Sequence, residues 1–231
     1  MRAFSIFTFD IRYQIKYGFY FLYAVISLLY LSILLFLPES MARPAAAIII
    51  LTDPAALGFF FIGGMILLER GEGLHTYFSI LPTLNREYVL SKVLSLSIIS
   101  TMVALFIAGI MFRSEVNYLL LSLGVFAGAS VFTLFGLAVG TVAKSINHYF
   151  VISVPVGILL MGPAFLIYLD LNNFLIEILP ATLLLRLIYA SLQLEIPYPP
   201  ILSLVGIILW CAPAYILANR FFATYIERGG E

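Results

Sequence analysis

The residues nearest to a nucleotide-binding signature are Ala138-Val139-Gly140-Thr141-Val142-Ala143-Lys144-Ser145. A phosphate loop needs G-x-x-x-x-G-K-[ST], because its glycines let backbone N–H groups close on the phosphates. Alanine stands at both glycine positions here, so this chain is not expected to bind or hydrolyse ATP. Hydrolytic or metal chemistry is no better supplied. His75 and His148 fall outside the apolar runs, no H-E-x-x-H occurs, and Ser97, Ser100 and Ser130 read as helix-packing hydroxyls. No catalytic residue, metal site or cofactor is therefore expected on the chain.

The concentrated charge lies in Leu67–Lys92, LLERGEGLHTYFSILPTLNREYVLSK, which holds Glu69, Arg70, Glu72, Arg86, Glu87 and Lys92. Leu74, Tyr77, Phe78 and Leu81 fall at i, i+3, i+4 and i+7, the spacing of one apolar helix stripe. Pro82 ends that helix, Asn85 caps the next, and Glu87 suits its first turn. An apolar stripe on a charged background suits either docking of another protein or a helix that lies in the headgroup region with no partner.

This stretch interrupts a chain that is 63% hydrophobic and 10% charged over 231 residues. Soluble domains carry roughly 25% charged residues, so the expected solvent is a bilayer. The net charge of zero gives no reason to expect nucleic acid, and one cysteine, Cys211, allows no internal disulfide. About 20 apolar residues cross a hydrocarbon core as a helix. Six runs qualify: Gly18–Leu37, Ala45–Leu68, Ser91–Phe112, Tyr118–Ala143, Tyr149–Leu169 and Ile201–Ala218. The expected fold class is an all-α membrane protein of six transmembrane helices, one permease domain over 1–231. Residues 1–17 are an interfacial helix, 18–218 the six-span region and 219–231 a cytosolic tail. The first run is too long, and begins too late, for a signal peptide.

Basic residues set the orientation. Arg2, Arg12, Lys16, Arg70, Arg86, Lys92, Lys144, Arg220 and Arg228 fall on one side, against Arg43, Arg113 and Arg186 on the other. Both termini and the 67–92 loop are thus expected in the cytosol. In the leader, Phe4, Phe7, Ile11 and Ile15 form an apolar stripe, with Arg12 and Lys16 on a different face. That pattern fits an amphipathic helix in the headgroup plane. Thr52-Asp53-Pro54 punctuates the second run. Ala45–Leu51 either continues that span through a kink or dips in as a half-helix.

Gly124/Gly128 and Gly136/Gly140 are small-residue pairs that let helices approach closely. Twelve residues separate the two pairs, turning the helix about 120° past whole turns, so each pair faces a different neighbour. Pro155, Pro163 and Pro213 are kink candidates. Before the sixth run, Thr182, Arg186, Tyr189 and Gln193 fall at i, i+4, i+7 and i+11. They mark a re-entrant or amphipathic helix at the outer face.

The pattern Glu69-Arg70-Gly71-Glu72-Gly73-Leu74 … Leu81-Pro82-Thr83-Leu84 … Arg86-Glu87-Tyr88 … Lys92 resembles the ABC type-2 exporter permeases. It departs from them at His75 and in having Leu81-Pro82 where Thr-Pro is usual. The resemblance covers the chain, and is closest to the fluoroquinolone and drug-export group through FDIRYQIKYGFY (Phe9–Tyr20) and DPAALGFFFIGG (Asp53–Gly64).

It implies a dimer of permease copies, homo- or heterodimeric, each gripped by a cytosolic ABC ATPase that carries the ATP and Mg. The implied ATPase-coupling residues are Glu69, Arg70, Glu72, Leu74, Tyr77, Phe78, Leu81, Arg12 and Lys16. Spans two and five would flank a translocation path offering Phe60, Phe61, Met65, Phe165 and Tyr168. That aromatic wall suits a lipophilic or amphipathic cargo (drug, lipid or peptide-like) and implies residence in the plasma or inner membrane. The rival reading is an ion- or proton-coupled transporter or channel acting without an ATPase. It needs ionisable groups in the membrane interior, and Asp53, placed in the outer third as a helix cap, is the only carboxylate within an expected span.

Overall fold

In the computed structural model, residues 2–52, 58–74, 85–169 and 173–227 are described, with side chains from Ser5 onward. All regular structure among them is helical. The elements are α1 (Arg2–Lys16), α2 (Phe19–Leu35), α3 (Glu39–Thr52), α4 (Gly58–Gly71), α5 (Asn85–Phe112), α6 (Tyr118–Val142), α7 (Ile146–Phe165), α8 (Phe174–Glu177), α9 (Pro180–Ser191) and α10 (Pro200–Glu227). Short 3₁₀ turns follow α5 and α7.

Among the described residues four helices are long and apolar enough to cross a membrane: α5, α6 and α7, the first and last with their 3₁₀ extensions, and α10. A fifth arises if α1 and α2, bent by 62°, count as one broken span. Gly18 makes that bend with φ 77°, a backbone conformation that costs L-residues about 1–2 kcal/mol. The expected second span is two helices, α3 and α4, each of 14 residues. Asp53 and Pro54, the expected punctuation between them, lie outside the described residues.

α6 is the hub, packed by α4, α5, α7, α9 and α10. Its glycines make this possible. A Cβ on Gly124 or Gly128 would lie 3.0 or 2.6 Å from Leu187 and Leu184 of α9. On Gly136 it would lie 2.3 Å from the Phe59 carbonyl oxygen of α4, and on Gly140 3.1 Å from Gly63 Cα. The two pairs therefore seat two different neighbours within one chain. A third close approach is reciprocal: the Tyr149 ring of α7 occupies the space a Gly63 side chain would need, and its hydroxyl donates to the Phe59 carbonyl at 2.5 Å.

α10 runs on to Glu227 rather than stopping at Ala218. The cause is the spacing of Ala218, Phe222 and Tyr225, which bury one continuous face. α9 is tucked inside, with Pro180–Ile188 and Ser191 buried. By contrast α2, α7 and α10 show wide apolar faces outward, including Phe21, Leu29, Val151, Leu159, Ile208 and Leu209. A bilayer satisfies such faces and water does not.

Candidate functional site

Glu69 and Arg70, the charged pair closing α4, diverge to opposite neighbours. Glu69 is fully buried and accepts from the Lys92 ammonium and, at 2.5 Å, from the Tyr88 hydroxyl. Lys92, also 0% exposed, donates at 2.5 Å to Asp10 of α1, which accepts a second hydrogen bond from Ser91. Beside it Gln14 donates to Ser95 Oγ at 2.7 Å. The Lys92 ammonium sits over the Tyr88 and Tyr13 rings, 5.1 and 5.6 Å from their centroids. Carboxylates on α1 and α4 thus clamp one lysine on α5. A buried charge is tolerated when it is paired and hydrogen-bonded in this way.

Arg70 turns the other way. Its Nε donates to the Tyr225 hydroxyl at 2.9 Å and its Nη1 to the Ala143 carbonyl at 2.6 Å. It therefore neutralises the partial negative charge at the end of α6 while stacking on Tyr225, 4.7 Å from the ring centroid. The Tyr88 and Phe222 rings stack at 4.3 Å and 8°, closing α5 onto α10. One end of the bundle is thereby knit from α1, α4, α5, α6 and α10.

Of the other expected coupling residues, Arg12, Lys16, Glu72 and Leu74 are described. Arg12, Lys16 and Glu72 are exposed, while Leu74 is half-buried and packs against the core. Tyr77, Phe78 and Leu81 lie outside the described residues. Glu69, being enclosed, acts on α5 and α1 rather than at the surface. α1 buries Ile6, Asp10, Tyr13 and Gln14, leaving Phe7 and Ile11 half-buried and Ile15 exposed. The inward face is the polar one, and the apolar stripe faces out. Asp10 was not foreseen as a site residue. Its signal was that it is the only acid on the helix, spaced i+4 from Ile6 and i−3 from Tyr13.

The expected path residues separate. Met65 is 0% exposed, and Phe61 packs on Phe19 and Tyr23 at 5.4 and 5.1 Å. Phe60 stacks on Phe150, and Phe165 and Tyr168 point outward, the Tyr168 hydroxyl hydrogen-bonded to Tyr189.

At the opposite end Arg43 pairs with Glu115 and reaches the Leu192 carbonyl. Arg186 holds Glu177 at 2.6 Å, and Tyr198 donates to the same carboxylate at 2.8 Å. Thr182 is fully buried, while Gln193, with φ 59°, stands exposed where α9 ends. Next to Glu177 lies an apolar cavity of about 760 Å³ walled by Leu183, Leu202, Leu209 and Trp210. Trp210 donates to the Ile178 carbonyl at 2.8 Å.

Burial pushes the Glu177 carboxyl up, but the hydrogen bonds from Arg186 and Tyr198 and the guanidinium charge together hold it below the usual range. The tie therefore contributes stability at neutral pH. It is lost as pH falls from the ordinary glutamate value, about 4.3, through the lowered one. Trp210 is the only tryptophan, so its fluorescence should titrate in acid. Glu177→Gln should flatten that titration.

Among the described residues, a helical fold with lipid-facing walls and a charged knot at one end defines an integral membrane protein. The family model of the fluoroquinolones export permease proteins matches residues 1–229, and the chain belongs to that family. Fluoroquinolones export permease proteins from two strains of Mycobacterium tuberculosis are each 32% identical to it over 148 residues. That match spans 62% of this chain and 62% of the length of each curated relative.

Proposed function

We propose that the chain is the transmembrane subunit of an ATP-binding-cassette exporter, moving a lipophilic or amphipathic cargo under power from a separate ATPase. It crosses the bilayer six times, α3 and α4 together making the second crossing, and keeps both termini and the 67–92 loop in the cytosol of a plasma- or inner-membrane protein. The Asp10–Lys92–Glu69 clamp carries the reading. It roots both ends of the 67–92 loop, and the α1 helix, into the spans, so a push on that loop reaches α4 and α5 without slack. Arg70 passes the same push to α6 and α10.

The loop helix bearing Leu74, Tyr77, Phe78 and Leu81 is the coupling helix, and the exposed Arg12 and Lys16 of α1 add a second contact. ATP and Mg are held by the partner, and this chain hydrolyses nothing. The outward apolar faces of α2, α7 and α10 meet lipid and a second permease copy. The cargo resembles the aromatic, amphipathic drugs for which the relatives are named. Phe60, Phe165 and Tyr168 remain available to line its path.

The test is co-purification and transport. The chain should co-purify with a cytosolic ABC ATPase. Tyr77→Ala with Phe78→Ala should cut cargo-stimulated ATP hydrolysis and efflux about tenfold or more, as expected when aromatic anchors are removed from an interface. Normal export by the double variant would defeat the coupling assignment. Uphill transport by the purified chain alone would defeat the whole reading.

A further inference from the structure

Beside the knot, on the side away from Lys92, a cavity of about 440 Å³ opens between α4, the α6–α7 link and α10. Arg70, Lys144 and Arg220 line it, and the described lining residues include no carboxylate. The acid on α10, Glu227, lies two turns past Arg220. Among the described residues Arg70 donates to neutral oxygens, so its charge adds to the others. Lys144 and Arg220 are exposed and free to close on an anion.

The depth of the cavity is set by helix length. α10 has 28 residues, about 42 Å, against a hydrocarbon core of about 30 Å. Measured from Pro200, about twenty residues fill that core, so Arg220 is the first to emerge at headgroup level. The same cavity has an apolar rim: Val142 and Phe221 are 47% and 41% exposed, with Leu217 one turn deeper.

Three cations above an apolar rim at the bilayer edge fit a phosphodiester headgroup with its acyl chains running down α10. We infer that this cavity is a binding site for an anionic phospholipid, its phosphate held by Arg70, Lys144 and Arg220. An acidic protein surface would match the cations but not the exposed rim. The inference needs only that the protein spans a membrane. It stands or falls separately from the ATPase reading.

The full chain in neutral detergent, titrated with short-chain phosphatidylglycerol, should rise in thermal midpoint. Phosphatidylcholine of the same chain length, and inorganic phosphate at the same concentration, should do little. Lys144→Gln with Arg220→Gln removes two exposed charges, so the unliganded midpoint should hold while apparent phosphatidylglycerol affinity falls about thirtyfold. Should that pair fold poorly, Arg220→Gln alone and the charge-keeping Lys144→Arg give the same contrast, weakened against retained. Undiminished binding by the charge-removing variants overturns the site. An equal response to inorganic phosphate makes it a free-anion site. An unchanged lipid response with loss of a protein partner makes it a protein dock. Either of the last two overturns the lipid assignment.

Discussion

Lys92→Met should lower the stability of the detergent-solubilised protein by about 3–5 kcal/mol, the usual cost of removing one partner from a buried ion pair. Methionine fits the space but takes from Asp10 the ammonium 2.5 Å away, in a site where Lys92 and Glu69 are 0% and Asp10 1% exposed. Ser91 and Tyr88 still donate to the two carboxylates, but hydroxyl donors do not neutralise charge. Adding Asp10→Asn and Glu69→Gln to the methionine variant should recover much of the loss, since a matched neutral cluster lacks the charge that needed compensation. Chemical unfolding in mixed micelles measures both. If the single variant unfolds with the parent, the clamp is not what holds α1, α4 and α5 together. The combined variant also tests function, because a neutral cluster that folds but no longer couples the 67–92 loop to transport separates stability from transmission.

The second large effect is expected at Gly136. A Cβ there would lie 2.3 Å from the Phe59 carbonyl oxygen and 2.6 Å from Ile62 Cγ2. The obstacle is backbone, which cannot swing aside as a long side chain can. Gly136→Val should therefore separate α4 from α6 and cost about 3 kcal/mol or more, the upper range of overpacking. Gly64→Ala, on the facing helix α4 with nothing within 4 Å of the added carbon, is the control and should leave the unfolding curve unchanged or slightly raised. Equal behaviour of the two variants would show that α4 and α6 do not approach as closely as described.

Helical membrane architecture was legible because apolar runs of about 20 residues have few other uses. The two glycine pairs were legible too: a 120° offset is arithmetic, and α9 and α4 occupy the two predicted directions. The amphipathic α9 was foreseen from Thr182, Arg186, Tyr189 and Gln193. Its depth was not, because a polar stripe does not say whether water or Glu177 answers it. The clamp was half legible. Glu69 and Lys92 stood out as charges at the ends of apolar runs, but their partner Asp10 is 82 positions from Lys92, and sequence periodicity is blind to pairing at that range. The extent of α10 was missed for a similar reason. Hydropathy falls after Ala218, while the aromatic contacts that prolong the helix, Phe222 on Tyr88 and Tyr225 on Arg70, come from other elements.

Consecutive residues on a helix point about 100° apart, and Glu69 and Arg70 use that angle to grasp two separate groups of neighbours. α4 therefore behaves as a gear with two engaged teeth. Turning it on its axis would have to carry α1 and α5 with one tooth and α6 and α10 with the other. Partial rotation would break both grips at once, so half-turned molecules should be scarce. The permease should flip between discrete arrangements in a single concerted stroke rather than drift through a continuum.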